Sequence, residues 1–269
     1  MARPLPPNLL ADLTQRKRLL LCLDFDGALA ATTTPPGDSK PDESVVHAVR
    51  RLLEHRDDVE VAIVSGRDAG ATRRMLGIFK GLYFIGLHGI ELLDHDDHRE
   101  LLVNVKHCLP ALHTVRDWLL KEARPSDGFM VEDKEFSVAL HFRNVRPEVA
   151  RDLCRQLEYF VAHMIRGLRV SAGDMVVEVM PSNASGIGFA INHLLAKLND
   201  RSLMPVYFGD DPSDEEAFFA VRRAGGATIL VGVDRETHAE YRVDGPEDVA
   251  HALTMLVDAL ERPADGARA

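Results

Sequence analysis

The sequence predicts an α/β protein with a Rossmann-like parallel sheet core and a smaller α+β domain inserted into it. Three features of the chain lead there. Short apolar runs recur at residues 19–25, 59–64, 82–85, 205–208 and 227–231, and runs of that length read as strands buried on both faces of a sheet. Amphipathic stretches of roughly 10–15 residues separate them, as the crossover helices of a parallel sheet require. From about residue 108 to 181 the order becomes helix, two strands, helix, two strands, a self-contained α+β unit. The expected division is a core of residues 1–107 and 182–269, with an insert of residues 108–181.

In chain order, residues 1–10 are proline-rich and are expected on the surface, with a short helix over 10–17. The first strand, LLLCLDFDG, is cut by Asp24, Asp26 and Gly27. Residues 30–41 hold Thr, Pro, Gly, Asp and Ser and read as a loop beyond that strand end. A helix then opens on Pro41-Asp42-Glu43-Ser44, with acids in its first turn and Val45, Val49, Leu52 and Leu53 on its apolar face. The strand at 59–64 ends in Ser65-Gly66-Arg67, and a helix carrying Ala71, Met75 and Leu76 follows. The strand at 82–85 ends in Gly86-Leu87-His88-Gly89. Residues 90–103 form two short apolar segments around Asp94-His95-Asp96-Asp97-His98, a hairpin with a charged, solvated tip.

In the insert, residues 109–122 make an amphipathic helix around Trp118, and residues 128–131 and 136–142 are strand-like. A second helix spans 147–164, and strands follow at 168–170 and 175–179. The core pattern resumes with a helix at 186–198 and a strand at 205–208 ending in Gly209-Asp210-Asp211-Pro212-Ser213-Asp214. A helix at 213–221, a strand at 227–231 and a closing helix at 246–260 complete it, and residues 261–269 are expected to be disordered.

The net charge of −10 argues against a nucleic-acid partner, and no apolar run is long enough for a membrane span. The first ten residues lack the apolar stretch of a signal peptide. Cys22, Cys108 and Cys154 are far apart in apolar-periodic stretches and are expected as reduced thiols, which fits a cytoplasmic protein.

Polar groups gather at three strand ends: Asp24 and Asp26; Ser65 with Gly66 and Arg67; and Asp210, Asp211 and Asp214. Ligands of open α/β sheets bind beyond the carboxyl ends of the strands. Carboxylates brought together there repel one another unless a hard cation lies among them, and oxygen ligands suit Mg²⁺. Such a site suits a phosphate substrate. Ser65 offers a hydroxyl and the helix after it free N–H groups. One of the paired aspartates is placed to be a nucleophile and the other a general acid and base.

The stretches LCLDFDGALA, VAIVSGRD, GLHGIE, VEDKEFSVALHFR, VVEVMP and YFGDDPSDEEAF, with the tail ILVG and YRVDGPEDV, resemble the trehalose-6-phosphate phosphatases of the haloacid dehalogenase (HAD) superfamily over roughly residues 18–260. The resemblance implies a HAD-like core under an α+β cap, and hydrolysis of a sugar phosphate. It implies Asp24 as nucleophile forming an aspartyl-phosphate, and Asp26 as acid and base. It implies Mg²⁺ held by Asp24, the Asp26 carbonyl and Asp210, with Asp211 and Asp214 behind them. Phosphate would meet Ser65, Gly66 and the N–H of Ala28. The sugar would meet Glu132, Lys134 and Glu178, with Arg67, His88 and Glu91 near the domain interface. On the residues alone, Glu132 and Lys134 also read as an exposed strand pair, Glu178 as solvent-facing, and His141 and Arg143 as structural.

Two positions depart from the family. Ala28 stands where a threonine is usual, and Gly186 or Ile187 stands where a lysine opens the next helix. That lysine balances charge at the nucleophile and phosphate, so Arg67 and Lys134 are the candidates to replace it. Its absence keeps two other readings open. One is a phosphatase for another disaccharide or pseudo-disaccharide phosphate. The other is a protein that binds a sugar phosphate, or a partner protein, without turnover.

Overall fold

The run LLLCLD becomes the middle strand of a nine-stranded sheet because both of its faces have an apolar layer to bury against. In the computed structural model, which describes residues 2–31, 40–173 and 175–262, strands β1 (Arg3–Pro4), β2 (Arg18–Asp24), β3 (Val59–Val64), β4 (Tyr83–Gly86), β5 (Glu91–Leu93) and β6 (Arg99–Leu101) belong to this sheet. The cap sheet holds β7 (Met130–Asp133), β8 (Val138–His141), β9 (Leu168–Gly173) and β10 (Val176–Pro181). Strands β11 (Leu203–Gly209), β12 (Ala227–Val231) and β13 (Tyr241–Val243) return to the core. The core order is β1-β13-β12-β11-β2-β3-β4-β5-β6. It is parallel from β1 to β4 and antiparallel at β5 and β6, the expected hairpin.

Alternate residues of β2 enter different cores. Leu19, Leu21 and Leu23 join the layer that holds helices α1 (Leu9–Thr14), α2 (Glu43–Leu52), α3 (Ala69–Leu76) and α8 (Pro246–Glu261). Leu20 and Cys22 join the layer of α6 (Gly186–Leu198) and α7 (Glu215–Arg223). Two of these helices, α2 and α3, start where a side chain satisfies a free N–H group: Asp42 accepts from the Ser44 N–H and Asp68 from the Ala71 N–H.

The cap sheet, ordered β7-β8-β10-β9, is antiparallel throughout. One face, with Val138, Leu140, Val177 and Val179, packs on α4 (Leu109–Glu122) and α5 (Pro147–Met164) in a core of its own. The other face looks toward the carboxyl ends of the core strands.

Several elements differ from their expected bounds. β1 and β13 have only two and three residues, too few for any periodicity to register. The helix expected from Ser213 starts with a 3₁₀ turn at Pro212–Asp214, and α7 begins only at Glu215. Asp211 and Asp214 exchange side-chain and backbone hydrogen bonds there, which tightens the turn. β9 and β10 run on to Gly173 and Pro181 because they pair along six residues. Residues 32–39 of the expected loop and 263–269 of the expected disordered end lie outside the described residues. The three cysteines are free, Cys22 and Cys108 buried and Cys154 half-buried. Among the described residues no helix is long and apolar enough to cross a membrane.

Candidate active site

β2 ends at Asp24, and Phe25, fully buried, ties the following turn to β3 by donating to the Val64 carbonyl at 2.9 Å. Gly27 has φ +103°, a conformation that favours glycine. It also has no room for a side chain: a Cβ there would lie 2.0 Å from Asp210 Oδ2. The turn after β2 and the loop after β11 are thus packed together, and Asp24, Asp26, Asp210 and Asp211 border one cavity of about 270 Å³.

The β3 end supplies Arg67, whose Nε and Nη2 reach Asp26 Oδ2 and Oδ1 at 2.7 and 2.9 Å. The Ser65 side chain is buried, and its Oγ accepts the Arg67 N–H at 3.1 Å. Ala28 is buried under the turn. Of Ser65, Gly66 and Ala28, Gly66 borders the cavity. The β4 end places His88 over Gly66, where a Cβ would lie 2.6 Å from the ring. Leu87 and His88 both hold φ +52° there. Glu91 is buried away from the cavity. It accepts the Ala69 N–H at the start of α3, and Arg99 joins it to Glu135 of the cap.

The cap contributes Glu132, Lys134 and Glu178. Glu178 does not face solvent: it is 5% exposed. One of its oxygens takes His88 Nε2 at 3.0 Å and Lys134 Nζ at 3.2 Å, and the other takes the Ser137 hydroxyl. Burial would raise the Glu178 carboxyl, but attraction to His88 and Lys134 and the hydrogen bonds from His88 and Ser137 outweigh it and hold it well below the usual range. Lys134 also donates to the Gly66 carbonyl at 3.3 Å, so the cap is tied to the core at this point. Glu132 is joined to His141 at 2.9 Å. Burial pushes against its charged form, and the His141 hydrogen bond and the nearby Lys134 bring it below its ordinary value.

The acids behave as a strained set. Burial is the main reason that Asp24 is raised well above the carboxylate range, with repulsion from Asp214, Asp210, Asp26 and Asp211 adding to it. Asp210 is pushed up to about 7 by burial and by Asp214 and Asp211. Asp214 rises to about 6 through burial, against the hydrogen bond donated by Tyr207 at 2.6 Å. Asp24 Oδ2 and Asp210 Oδ1 are buried without a hydrogen-bond partner. Among the described residues no three His, Cys, Asp or Glu side chains form a ready-made metal cluster. Mg²⁺ needs less: it is commonly held by one or two carboxylates and keeps several waters. Two orphaned, mutually repelling carboxylate oxygens at the cavity floor fit that demand.

At the position of the expected lysine, Gly186 has φ +79°, a conformation that favours glycine, and a Cβ there would displace the end of the Glu216 side chain, whose Oε2 would lie 2.0 Å away. Ile187 is the residue that borders the cavity. Arg235, which the sequence did not single out, donates to the Asp211 carbonyl at 3.0 Å and the Asp210 carbonyl at 3.5 Å, and Glu215 anchors it. No motif marks it. His141, which the residues alone read as structural, is set by the β7–β8 register on the same face as Glu132.

A sequence profile described as trehalose-phosphatase matches residues 22–247. The trehalose-phosphate phosphatase of Mycobacterium leprae is 32% identical over 264 residues, covering 93% of this chain and 59% of that protein. That of Mycolicibacterium paratuberculosis is 33% identical over 251 residues, covering 89% and 62%. The chain therefore spans about 60% of the length of these relatives. The C-terminal domain of trehalose-6-phosphate phosphatase from C. albicans superimposes with a TM-score of 0.81 at 18% identity, covering 96% of this chain and 98% of that one, a likeness of fold.

Proposed function

The chain belongs to the trehalose-phosphatase family, and we propose from this that it is a Mg²⁺-dependent phosphoric monoester hydrolase that converts trehalose 6-phosphate to trehalose and phosphate. The observation that carries the reading is the convergence of Asp24, Asp26 and Asp210 on one cavity floor, with unpartnered oxygens on Asp24 and Asp210.

Asp24, one oxygen of Asp210 and the Asp26 carbonyl would hold the ion, and Asp211 and Asp214 would orient its surroundings. When bound, Mg²⁺ supplies positive charge to the phosphoryl oxygens and relieves the repulsion among the acids. Asp24 attacks phosphorus through a carboxylate oxygen. The bond from phosphorus to the sugar O6 breaks, and Asp26 gives that oxygen its proton. Asp26 then takes a proton from water, which attacks the aspartyl-phosphate and restores Asp24. In the resting geometry both Asp26 oxygens are held by Arg67. Proton delivery therefore requires Arg67 to release one of them. Glu132, Lys134 and Glu178 face the same cavity from the cap and are placed to read sugar hydroxyls.

The test is phosphate release from trehalose 6-phosphate with Mg²⁺ and with chelator. Turnover should require the ion, and Asp24→Asn should lower it by at least about a thousandfold, as loss of a nucleophile does. An Asp24→Asn rate near that of the wild type would sink the mechanism. Absence of turnover in the wild type, with the sugar phosphate still bound, would favour the binding-only reading that Ile187 raises.

A further inference from the structure

The loop that carries Asp210 and Asp211 is braced by a residue that the proposed reaction does not use. β12 pairs with β11 in parallel, so the segment after β12 leaves the sheet from the same edge as the two acids. That segment carries Arg235, which is half-buried and is not among the residues bordering the cavity. Its Nη2 donates to the Asp211 carbonyl at 3.0 Å and to the Asp210 carbonyl at 3.5 Å. Its Nη1 donates to the Glu215 carboxylate and, at 3.2 Å, to the Glu236 carbonyl.

This arrangement sacrifices one donor. Nε of Arg235 is buried without a hydrogen-bond partner, which is destabilising for any polar group and more so for a charged one. Glu215 keeps the guanidinium from turning to relieve it. Glu215 is itself fixed at the start of α7, where it accepts the Thr237 hydroxyl at 2.8 Å and the His238 N–H at 2.7 Å. The planar fork of Arg235 is thus locked between one carboxylate and two carbonyls.

The lock bears on Asp210 above all. Asp211 has other restraints: its carbonyl also accepts the Asp214 N–H, and its N–H reaches the Asp214 carboxylate, each at 3.0 Å. The Asp210 carboxylate is repelled by Asp214, Asp211 and Asp26, and its Oδ1 is unpartnered. The turn at Gly27 packs on that carboxylate from one side. A carbonyl committed to Arg235 on the other side leaves the carboxylate as the group that faces the cavity.

Resting on the reading of the site as a Mg²⁺-dependent phosphatase, we propose that Arg235 is a positioning residue for the metal site. By holding the Asp210 and Asp211 carbonyls, it keeps the Asp210 carboxylate turned to the cavity floor against the repulsion of its neighbours. It touches neither substrate nor ion.

The experiment titrates the intact, metal-free protein with Mg²⁺ by calorimetry, and separately follows phosphate release from trehalose 6-phosphate as Mg²⁺ is raised. Arg235→Met should weaken Mg²⁺ binding by about a hundredfold, at the upper end for groups that orient a metal ligand. Half-maximal turnover should need more Mg²⁺ by the same factor, while turnover at saturating Mg²⁺ stays within about threefold of the wild type. Arg235→Lys keeps the charge but lacks the fork that spans Glu215 and both carbonyls, and should weaken binding by about tenfold. Thr237→Val removes a donor from Glu215 and leaves the bonds of Arg235 in place. It should lower the midpoint of thermal unfolding without changing Mg²⁺ affinity.

Wild-type Mg²⁺ affinity in Arg235→Met overturns the proposal, as does a loss of affinity that Thr237→Val matches, the result of a merely structural brace. If Arg235→Met does not fold, wild-type affinity in Arg235→Lys overturns it. Mg²⁺ binding that depends on Arg235, with no turnover by any form, keeps the proposal and overturns the phosphatase reading. A wild type that binds no Mg²⁺ overturns both.

Discussion

Gly27→Ala separates the two jobs of the turn after Asp24. At φ +103° an alanine is strained by about 1–3 kcal/mol. Its Cβ would also lie 2.0, 2.1 and 2.3 Å from the carboxyl atoms of Asp210, where ordinary contact begins at 3.4 Å. Asp210 must therefore retreat by more than about 1 Å, and misplacement on that scale costs on the order of a hundredfold in rate. Gly232→Ala is the matched control: Gly232 has φ +102° and nothing within 4 Å of the site of a Cβ. Both variants should lose similar stability in thermal unfolding. Gly27→Ala alone should lose Mg²⁺ affinity by calorimetry and about a hundredfold in phosphate release. If it binds Mg²⁺ as tightly as Gly232→Ala and turns over within about threefold of it, then Asp210 does not hold the ion as argued.

Glu178 gives a pH dependence with a definite sign. Its folded pKa is lowered from an ordinary value of 4.5, so the stability it contributes is present above that value and drains away as pH falls below it. At pH 7 Glu178→Gln should destabilise the fold by about 3 kcal/mol, because Lys134 loses its buried partner. The gap between wild type and variant in urea unfolding should narrow below about pH 4.5; a gap constant down to pH 3, well under the ordinary carboxyl range, would refute it. Arg67→Met removes both hydrogen bonds to Asp26. One of the two must break for proton delivery, so only the other, about 1.5 kcal/mol by the scale of charge-assisted bonds, is kept in the transition state; kcat/KM should drop about tenfold while far-UV circular dichroism is unchanged. A drop below about threefold, under 1 kcal/mol, would show that Arg67 does not orient Asp26.

Strands β2, β3 and β12 were legible because burial on both faces demands uninterrupted apolar residues, and that demand is local. β1 was not, since the two-residue pairing of Arg3 and Pro4 with Tyr241 and Arg242 depends on a partner more than two hundred residues away. The 3₁₀ turn at Pro212–Asp214 was hidden for another reason. Acids at a helix start read as ordinary capping, and only the Tyr207 and Asp211 contacts show that Asp214 is committed inward.

The acids of the site were visible because no core tolerates them without cause. The cations were harder to assign, because an arginine or lysine is at home anywhere on a surface and only its partner gives it a role. Arg67 and Lys134 were the two candidates to replace the lysine absent at Ile187. The resting structure commits Arg67 to Asp26, and Lys134 to Glu178 and Gly66. Each can turn to a phosphate only by leaving a carboxylate behind, and such an exchange has little net driving force unless substrate hydroxyls or a metal ion take up what is vacated. Lys134 is the more firmly held, because both carboxylates border the cavity but the Glu178 side chain is 7% exposed and that of Asp26 29%. On the proposed mechanism, the charge balance at the phosphate would therefore fall first to Arg67, through the same release of Asp26 that would let the acid deliver its proton.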